Sequence, residues 1–554
     1  MQWRAGWLML VGTLVVFSAF SGSVAAASDP VSVKNPSGAQ DRSLKETRDL
    51  CDGGPPDPET DVLGWEAGCW ANQSIAVNQS DGFNTSELNA TVARAMARVE
   101  AIRRLEFRRT VPVKLESRDD FRARQANDTT APALRTFDNA KFEALFLIGE
   151  DENSIAVQNQ NTGASVLGFY SSSRNAIVLI SENRSNLQVD EGTLVHELVH
   201  ALQDQHFDLS QYDARTRDGA NAESGLIEGD ASLVEFRYED RCSEGGLWNG
   251  TCLSPPDSGS SGSLANIGTY FVKFQPYSDG PSFITTLYQE GGWAAVNAAY
   301  EDPPQSSAQI IHPEKYPEET PRNVTIEDRQ TDEWRRVRPP NRPDYGEVGE
   351  AALTSMFVFP LYDSEGQARI INPRDWLNRT PDGEISDFDP LNYDNQFAAG
   401  WAGDRLHVYV NEANKTAYVW RLAWETPRDA EEFTAGYTRV LEYWGGEETE
   451  PGLWVIDDGP FADAVHITVD GDTVTIVNAP TVEQLDEVRD GTLATPTPSP
   501  TATSTTPSPN AGTASNPTPT SPSPSPTPSP GQPGFGPLAA LAGLGIGALR
   551  WRRN

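Results

Sequence analysis

Between about Ser86 and Asp490 the apolar residues alternate between two spacings, which predicts a mixture of helices and strands. After Ser86 the apolar or alanine positions recur every three or four residues, as on one face of a helix: Leu88, Val92, Ala95, Val99 and Ile102. Short apolar runs between polar turns predict strands at residues 110–115, 145–148, 166–170 and 176–180. The pattern therefore predicts an α+β fold with a mixed sheet.

The same alternation continues near the C-terminus and predicts a second α+β part at residues 396–494. Strands are predicted at 406–410, 417–422, 464–469 and 474–477, and a helix at 428–443. This part has no cluster of side chains that typically bind metals. His407 and His466 fall within predicted strands, and we interpret both as packing residues.

Residues 190–206 predict an amphipathic helix with chemistry on its polar side. Its apolar side holds Leu194, Val195, Leu198, Val199 and Leu202. The other side carries His196, Glu197 and His200, in the pattern HExxH. Two His four residues apart on a helix reach the same metal ion, and the Glu between them reaches a water beside it. The pattern predicts a catalytic Zn²⁺ site with Glu197 as general base.

A catalytic zinc needs a third protein ligand, and the sequence offers three candidates. His206 has the spacing of the metzincin motif, but Gln203 stands where that motif needs a Gly for a turn. Glu223 and Glu228 lie on a helix predicted at residues 220–240, the gluzincin arrangement of two His and one Glu. We expect Glu228, because small residues flank it and permit a close approach to the metal.

At these residues the chain resembles a family of zinc metallopeptidases with the extended motif HExxHALQDQHFDL followed by EGDA. The matching residues are 196–209 and 228–231, and the resemblance extends to 303–307 and 312–316. It covers about residues 90–490. The resemblance implies a zincin-like, gluzincin-type fold over the predicted catalytic domain (86–395), with strands beside the active-site helix and a helical part that supplies the third ligand.

Four further features have a predicted role and an open alternative. His312 and Tyr316 are candidate donors to the oxygen that becomes negative in the transition state, although His312 is equally expected as a buried structural residue. Asp204 is a candidate to orient an imidazole, or else a solvated helix residue. The strand at 176–180 is a candidate to align a peptide substrate by edge pairing, although packing alone would also explain it.

The two ends of the chain predict export and anchoring. Residues 1–27 have the pattern of a signal peptide with an A-x-A cleavage site, a retained signal anchor being the alternative. Residues 495–531 are rich in Thr, Pro and Ser, which predicts a disordered stalk. Residues 532–554, with Pro533, Gly534 and Phe535, resemble the PGF-CTERM sorting signal of archaeal surface proteins. This resemblance implies processing by an archaeosortase and attachment to a membrane lipid; a C-terminal transmembrane helix is the alternative.

Composition agrees with an exterior location. The chain has 79 Asp and Glu against 43 Lys and Arg, a net charge of −36, which argues against a nucleic-acid partner. Only seven of the basic residues are Lys, as expected of a halophilic archaeon. Ten N-x-S/T sequons predict a glycosylated surface. The close pairs Cys51 with Cys69, in the N-terminal segment 28–85, and Cys242 with Cys252 predict two disulfides, of three possible connectivities.

The sequence thus predicts a cell-surface zinc metallopeptidase that acts on a peptide or protein substrate. The main alternative is a non-enzymatic, lipid-anchored surface glycoprotein on a zincin scaffold, because the stalk, sequons and anchor serve display. Hydrolysis of a non-peptide bond by the same zinc site is a third hypothesis. The intact Glu197 favours an enzyme.

Overall fold

The computed structural model describes residues 47–126, 130–181, 188–253 and 263–493. The predicted signal peptide, the stalk and the sorting motif Pro533, Gly534 and Phe535 lie outside these residues. Within the described ranges, no helix combines the length and the apolar character needed to cross a membrane.

The chain alternates helices and strands throughout. The elements before residue 254 are β1 (Cys51–Asp52), β2 (Trp65–Glu66), β3 (Cys69–Trp70), β4 (Ser74–Ile75), α1 (Thr85–Arg103), β5 (Val113–Ser117), α2 (Arg118–Gln125), α3 (Pro132–Ala144), α4 (Ser154–Ser165), β6 (Gly168–Ser171), β7 (Ala176–Ser181), α5 (Glu191–Phe207) and α6 (Arg217–Cys242). Those after residue 262 are α7 (Ile267–Ala299), α8 (Ser307–Ile311), β8 (Trp334–Arg336), α9 (Gly349–Asp363), α10 (Pro373–Trp376), β9 (Trp401–Asn411), β10 (Thr416–Trp424), α11 (Pro427–Tyr443), β11 (Glu447–Glu450), β12 (Leu453–Val455), β13 (Ala464–Asp470), β14 (Thr473–Ala479) and α12 (Val482–Val488). The predicted α+β class is confirmed.

A small mixed sheet lies beside helix α5. Its strand order is β5-β7-β6, with β5 and β7 parallel and β6 and β7 antiparallel. The predicted strand at 176–180 is therefore the central strand, and its backbone is paired on both sides. The expectation that it pairs with a substrate is wrong, and β6 is the strand at the edge next to α5.

The predicted strand at residues 145–148 is absent. These residues form a turn after α3, in which Phe146 has a left-handed φ of 53°. All four side chains are buried, Leu145, Phe146, Leu147 and Ile148. A short apolar run buried on every side has no alternation, so its pattern does not distinguish a strand from a buried turn.

Glycines let α6 and α7 approach closely behind the predicted ligand Glu228. A Cβ atom on Gly229 would lie 2.3 Å from the carbonyl oxygen of Gly280, and one on Gly280 would lie 2.6 Å from the carbonyl oxygen of Gly225. Each helix thus fills the space that a side chain would need on the other. Gly229 therefore permits the contact between α6 and α7. The sequence had suggested that it permits a close approach to the metal.

The C-terminal sheet has seven strands in the order β11-β12-β13-β14-β10-β9-β8. Its predicted strands and the helix at 428–443 are confirmed as β9, β10, β13, β14 and α11. Strand β8 pairs with β9, so this sheet begins at Trp334, before the predicted boundary at 396. One apolar core extends from α3, α7 and α9 into β9, β10 and α11 and joins the two parts of the chain.

Both predicted disulfides are present, Cys51–Cys69 and Cys242–Cys252. Disulfides persist in oxidising surroundings and are rare in the cytosol. The pairing therefore indicates an extracellular or secreted protein.

Candidate metal centre

Helix α5 begins at a strong N-terminal cap and turns its apolar side into the core. The Asp190 carboxylate accepts hydrogen bonds from the backbone N–H groups of Gly192 and Thr193, at 2.8 and 3.2 Å. The apolar positions Leu194, Val195, Leu198, Val199 and Leu202 are fully buried. Because this side is fixed in the core, the opposite side of the helix faces α6.

His196 and His200 converge with Glu228 of α6 at that face. The Nε2 atom of each imidazole lies 3.1 Å from the same carboxylate oxygen, Oε2 of Glu228. The two ring centroids are 4.8 Å apart. All three side chains are buried. We call this group, His196, His200 and Glu228, the histidine site.

The other nitrogen of each imidazole has a hydrogen-bond acceptor. Nδ1 of His196 lies 2.9 Å from Glu235 Oε2, and Nδ1 of His200 lies 2.9 Å from Gln203 Oε1. Each Nδ1 therefore carries the proton in the neutral ring, and each Nε2 presents its lone pair to the centre of the site. Glu228 and Glu235 are seven residues apart and lie on the same side of α6. Together they hold His196, with Glu228 at Nε2 and Glu235 at Nδ1.

A buried network continues behind His200. Gln203 donates to Asp230 Oδ2 at 3.2 Å and to the Ile227 carbonyl at 2.9 Å. Asp230 also accepts from Arg103 at 2.8 Å and from the Tyr300 hydroxyl at 2.8 Å. The amide of Gln203 is thus fixed with its oxygen towards His200. Helices α1, α5, α6 and α7 together determine the orientation of this imidazole.

The charges of the site favour a cation between its three side chains. Burial alone would raise the pKa of Glu228, but the charge of His200 and hydrogen bonds with both imidazoles lower it. Burial would lower the pKa of His196, but its hydrogen bonds to Glu228 and Glu235 raise that pKa to about 10. Protons held in this way are released when imidazoles bind a metal, so a metal ion and protons compete for one position.

The unpartnered atoms of the site also fit a metal and a water. Both carboxylate oxygens of Glu197 are buried, and neither has a hydrogen bond to another side chain. Burial raises the pKa of Glu197 to about 7, against the lowering effect of the two imidazoles. Two imidazole nitrogens and one carboxylate oxygen form a ligand set typical of catalytic Zn²⁺. The residues present therefore fit zinc.

A tyrosine on α7 reaches the site, although sequence reasoning did not identify it. The Tyr277 hydroxyl is hydrogen-bonded to Glu228 and also faces Glu197. Burial and these two carboxylates raise the pKa of Tyr277 well above its ordinary value, so the phenol keeps its proton. Tyr277 is therefore a hydrogen-bond donor at the site.

The alternative third ligands lie elsewhere. Helix α5 continues through Gln203, so His206 points away from the site, and its Nε2 lies 2.8 Å from the Glu106 carbonyl oxygen. The Glu223 carboxylate accepts from the backbone N–H of Ala214 at 2.9 Å. Of the three candidates, the structure brings only Glu228 to the two His of the motif.

The prediction for Asp204 is wrong. Its carboxylate accepts from the Tyr170 hydroxyl at 2.7 Å and from the backbone N–H of Leu209 at 3.1 Å, and it contacts neither imidazole of the site. Asp204 lies a full turn beyond His200, whereas Gln203 and Glu235 occupy the orienting positions. Asp204 instead joins the end of α5 to β6.

His312 and Tyr316 are bonded outside the histidine site. Nε2 of His312 lies 2.8 Å from Glu350 Oε1, in a cluster that includes Asp394. The Tyr316 hydroxyl donates to the Asp302 carbonyl at 2.6 Å. The expected role of these two residues as transition-state donors has no support in these contacts.

Comparison with known proteins gives one match. Residues 335–489 match the model of a family described as a domain of unknown function, DUF8575. No curated protein and no solved structure is significantly similar to the chain. The histidine site lies outside the matched residues, so its chemistry is argued from its own geometry.

Proposed function

We propose that the protein is a zinc metallopeptidase that acts outside the cell, with a zincin-like catalytic region. The observation that carries this proposal is the convergence of His196, His200 and Glu228 around one point, beside the unpartnered carboxylate of Glu197. When bound, zinc would supply a Lewis acid that polarises a peptide carbonyl and acidifies water.

The residues around that point account for the proton transfers. Glu197 takes a proton from the attacking water and delivers it to the leaving amine nitrogen, since its buried carboxylate lies between the two His of the motif. Tyr277 keeps its proton, and its hydroxyl would shift its hydrogen bond from Glu228 to the carbonyl oxygen as that oxygen becomes negative. Glu235 and Gln203 hold the imidazoles in place during the reaction.

Strand β6 gives an extended substrate a place to bind. It is an edge strand of the small sheet, and it contacts α5 directly. A peptide that pairs with β6 would lie along the side of the sheet nearest the active-site helix, and main-chain hydrogen bonds would hold it whatever its sequence. We further propose that the C-terminal sorting signal anchors this enzyme to a membrane lipid after processing by an archaeosortase-type enzyme.

The test is cleavage of a mixed peptide library by the full-length chain in molar salt with zinc. Three proteins are compared: the native chain, Glu197→Gln, and the control Glu223→Gln, which removes a carboxylate of α6 outside the site. Cleavage by the native chain and the control, but not by Glu197→Gln with equal zinc content, supports the proposal. Zinc binding without cleavage by any of them would favour a display protein, and no zinc binding would reject the metal centre.

A further inference from the structure

Three carboxylates from separate segments meet where the turn after α3 contacts the C-terminal sheet. Glu143 lies at the end of α3, Glu150 in the following turn, and Asp463 immediately before β13. One oxygen atom from each carboxylate lies within 4.8 Å of the other two. We call this group, Glu143, Glu150 and Asp463, the carboxylate site.

The carboxylate site is buried and short of positive charge. Glu143 is 5% exposed and Asp463 is 4% exposed. The neighbouring cation is Lys415, whose Nζ lies 3.0 Å from Glu150 Oε2 and whose side chain is 57% exposed. When all three carboxylates are deprotonated, the single ammonium leaves two negative charges, and buried charges are unfavourable unless they are paired.

A buried amide side chain contacts the carboxylate site, and one of its two polar atoms lacks a hydrogen-bond partner. Asn478 of β14 is 2% exposed, and its Nδ2 donates to Asp463 Oδ2 at 2.7 Å. Its Oδ1 atom is buried without a hydrogen-bond partner. Buried polar atoms in folded proteins are nearly always satisfied, so this oxygen acceptor requires a donor or a cation.

We propose that the carboxylate site binds one Ca²⁺ ion, which fastens the turn after α3 to the C-terminal sheet. The available ligands are all oxygens, three carboxylates and one amide, which is the ligand type of Ca²⁺. Mg²⁺ usually keeps several waters and uses fewer protein carboxylates, so a buried protein cage favours Ca²⁺. Glu143 and Glu150 precede the residues matched by the family model, 335–489, and Asp463 lies within them. The proposal is independent of the peptidase function.

The test is Ca²⁺ binding by the full-length chain, stripped of metals, reloaded with saturating zinc and kept in molar NaCl to suppress weak surface binding. Isothermal titration with Ca²⁺ alone is compared among the native chain, Asp463→Asn and the exposed control Asp470→Asn. We expect one bound Ca²⁺ for the native chain and the control, and at least a tenfold loss of affinity for Asp463→Asn. The His200→Ala chain should keep the Ca²⁺ site, which separates it from the histidine site.

Terbium luminescence provides a second measurement for the same site. Tyr418 and Tyr437 lie beside Glu143, so a Tb³⁺ ion bound there should be excited through tyrosine and displaced by Ca²⁺. Should Asp463→Asn fail to fold, Glu143→Gln replaces it in both measurements. Equal Ca²⁺ binding by the native chain and the variants, or no specific binding by the native chain, would overturn the proposal.

Discussion

The histidine site and the carboxylate site differ in what holds their ligand atoms. In the histidine site each imidazole is fixed through its second nitrogen, by Glu235 or Gln203, so both Nε2 atoms face Glu228. In the carboxylate site the oxygens repel one another, and the nearby donors among the described residues are Lys415, Thr416 and Asn478. Hydrogen bonds from neighbouring side chains hold the ligand atoms of the first site, whereas the second depends on an ion or on protons to keep its carboxylates together.

This difference has an energetic consequence. Removing a metal from a preorganised site costs activity but leaves the hydrogen bonds behind the ligands in place. Removing a cation from a set of buried carboxylates leaves unpaired charge, which costs stability. We therefore expect changes at the histidine site to alter catalysis and changes at the carboxylate site to alter folding.

The largest expected effect follows loss of a proposed zinc ligand. His200→Ala removes one of two imidazoles and leaves Glu228 with a single partner, so zinc binding and peptide cleavage should both fall below detection. Metal analysis by mass spectrometry and the peptide library measure the two losses. The melting temperature should change far less, and a chain that keeps zinc and full activity would contradict the ligand assignment.

Tyr277→Phe tests the donor that the structure adds to the site. The variant keeps the ring and removes only the hydroxyl, so zinc content should be unchanged while kcat falls about 100-fold. Tyr288→Phe on the same helix is the control, because its ring packs against Trp293. A higher KM with an unchanged kcat would show that the hydroxyl binds substrate equally in the ground and transition states.

Glu235→Gln tests whether the histidine site is preorganised. Gln keeps a hydrogen-bond acceptor for the Nδ1–H group of His196 but loses the negative charge, so zinc affinity should fall about 10-fold to 100-fold. Competition with a chelator of known affinity measures the change. Glu239→Gln, one turn further along α6 and exposed, should bind zinc as the native chain does. Equal affinity for both variants would mean that the charge of Glu235 does not support the site.

The periodicity of the sequence predicted the residues of the histidine site that share one helix. It failed for residues whose contacts depend on segments that are distant in the sequence. His196, Glu197 and His200 share the periodicity of α5, and Glu228 has small neighbours on a second predicted helix. Tyr277 lies on α7 with no motif around it, so its contact with Glu228 follows only from the glycine contact between α6 and α7. The assignment of Asp204 failed for a related reason, because the sequence does not show which neighbour of His200 faces its ring.

The carboxylate site could not be predicted from the sequence for the same physical reason. Glu143, Glu150 and Asp463 are separated by up to 320 residues, and each taken alone resembles the many exposed acidic residues of this chain. Their burial follows from the core shared by α3 and the C-terminal sheet. The periodicity that predicted β13 and β14 correctly does not show which helix packs against them.

The smallest expected effect is the pH dependence of stabilisation by Ca²⁺. Burial raises the pKa of Asp463 to about 7 and that of Glu143 well above its ordinary value. Without Ca²⁺ the raised pKa of Asp463 contributes stability that is complete below its unfolded pKa near 4 and is lost as the pH rises through about 7, and the contribution of Glu143 is lost at higher pH. Ca²⁺ binds the deprotonated carboxylates, so it should restore stability above pH 7 and add little near pH 5.

Melting curves with and without Ca²⁺ at pH 5 and pH 8 measure this effect, with zinc saturating throughout. At pH 8, Ca²⁺ at 100 times its dissociation constant should raise the melting temperature by about 2–5 °C. The charged and titratable groups facing Asp463 and Glu143 are Glu150, Lys415, Tyr418 and Tyr437. Lys415 and both tyrosines keep their protons over this range, so the carboxylates alone should produce the change. Asp463→Asn should lose most of it, and an equal Ca²⁺ effect at both pH values would mean that the ion binds elsewhere.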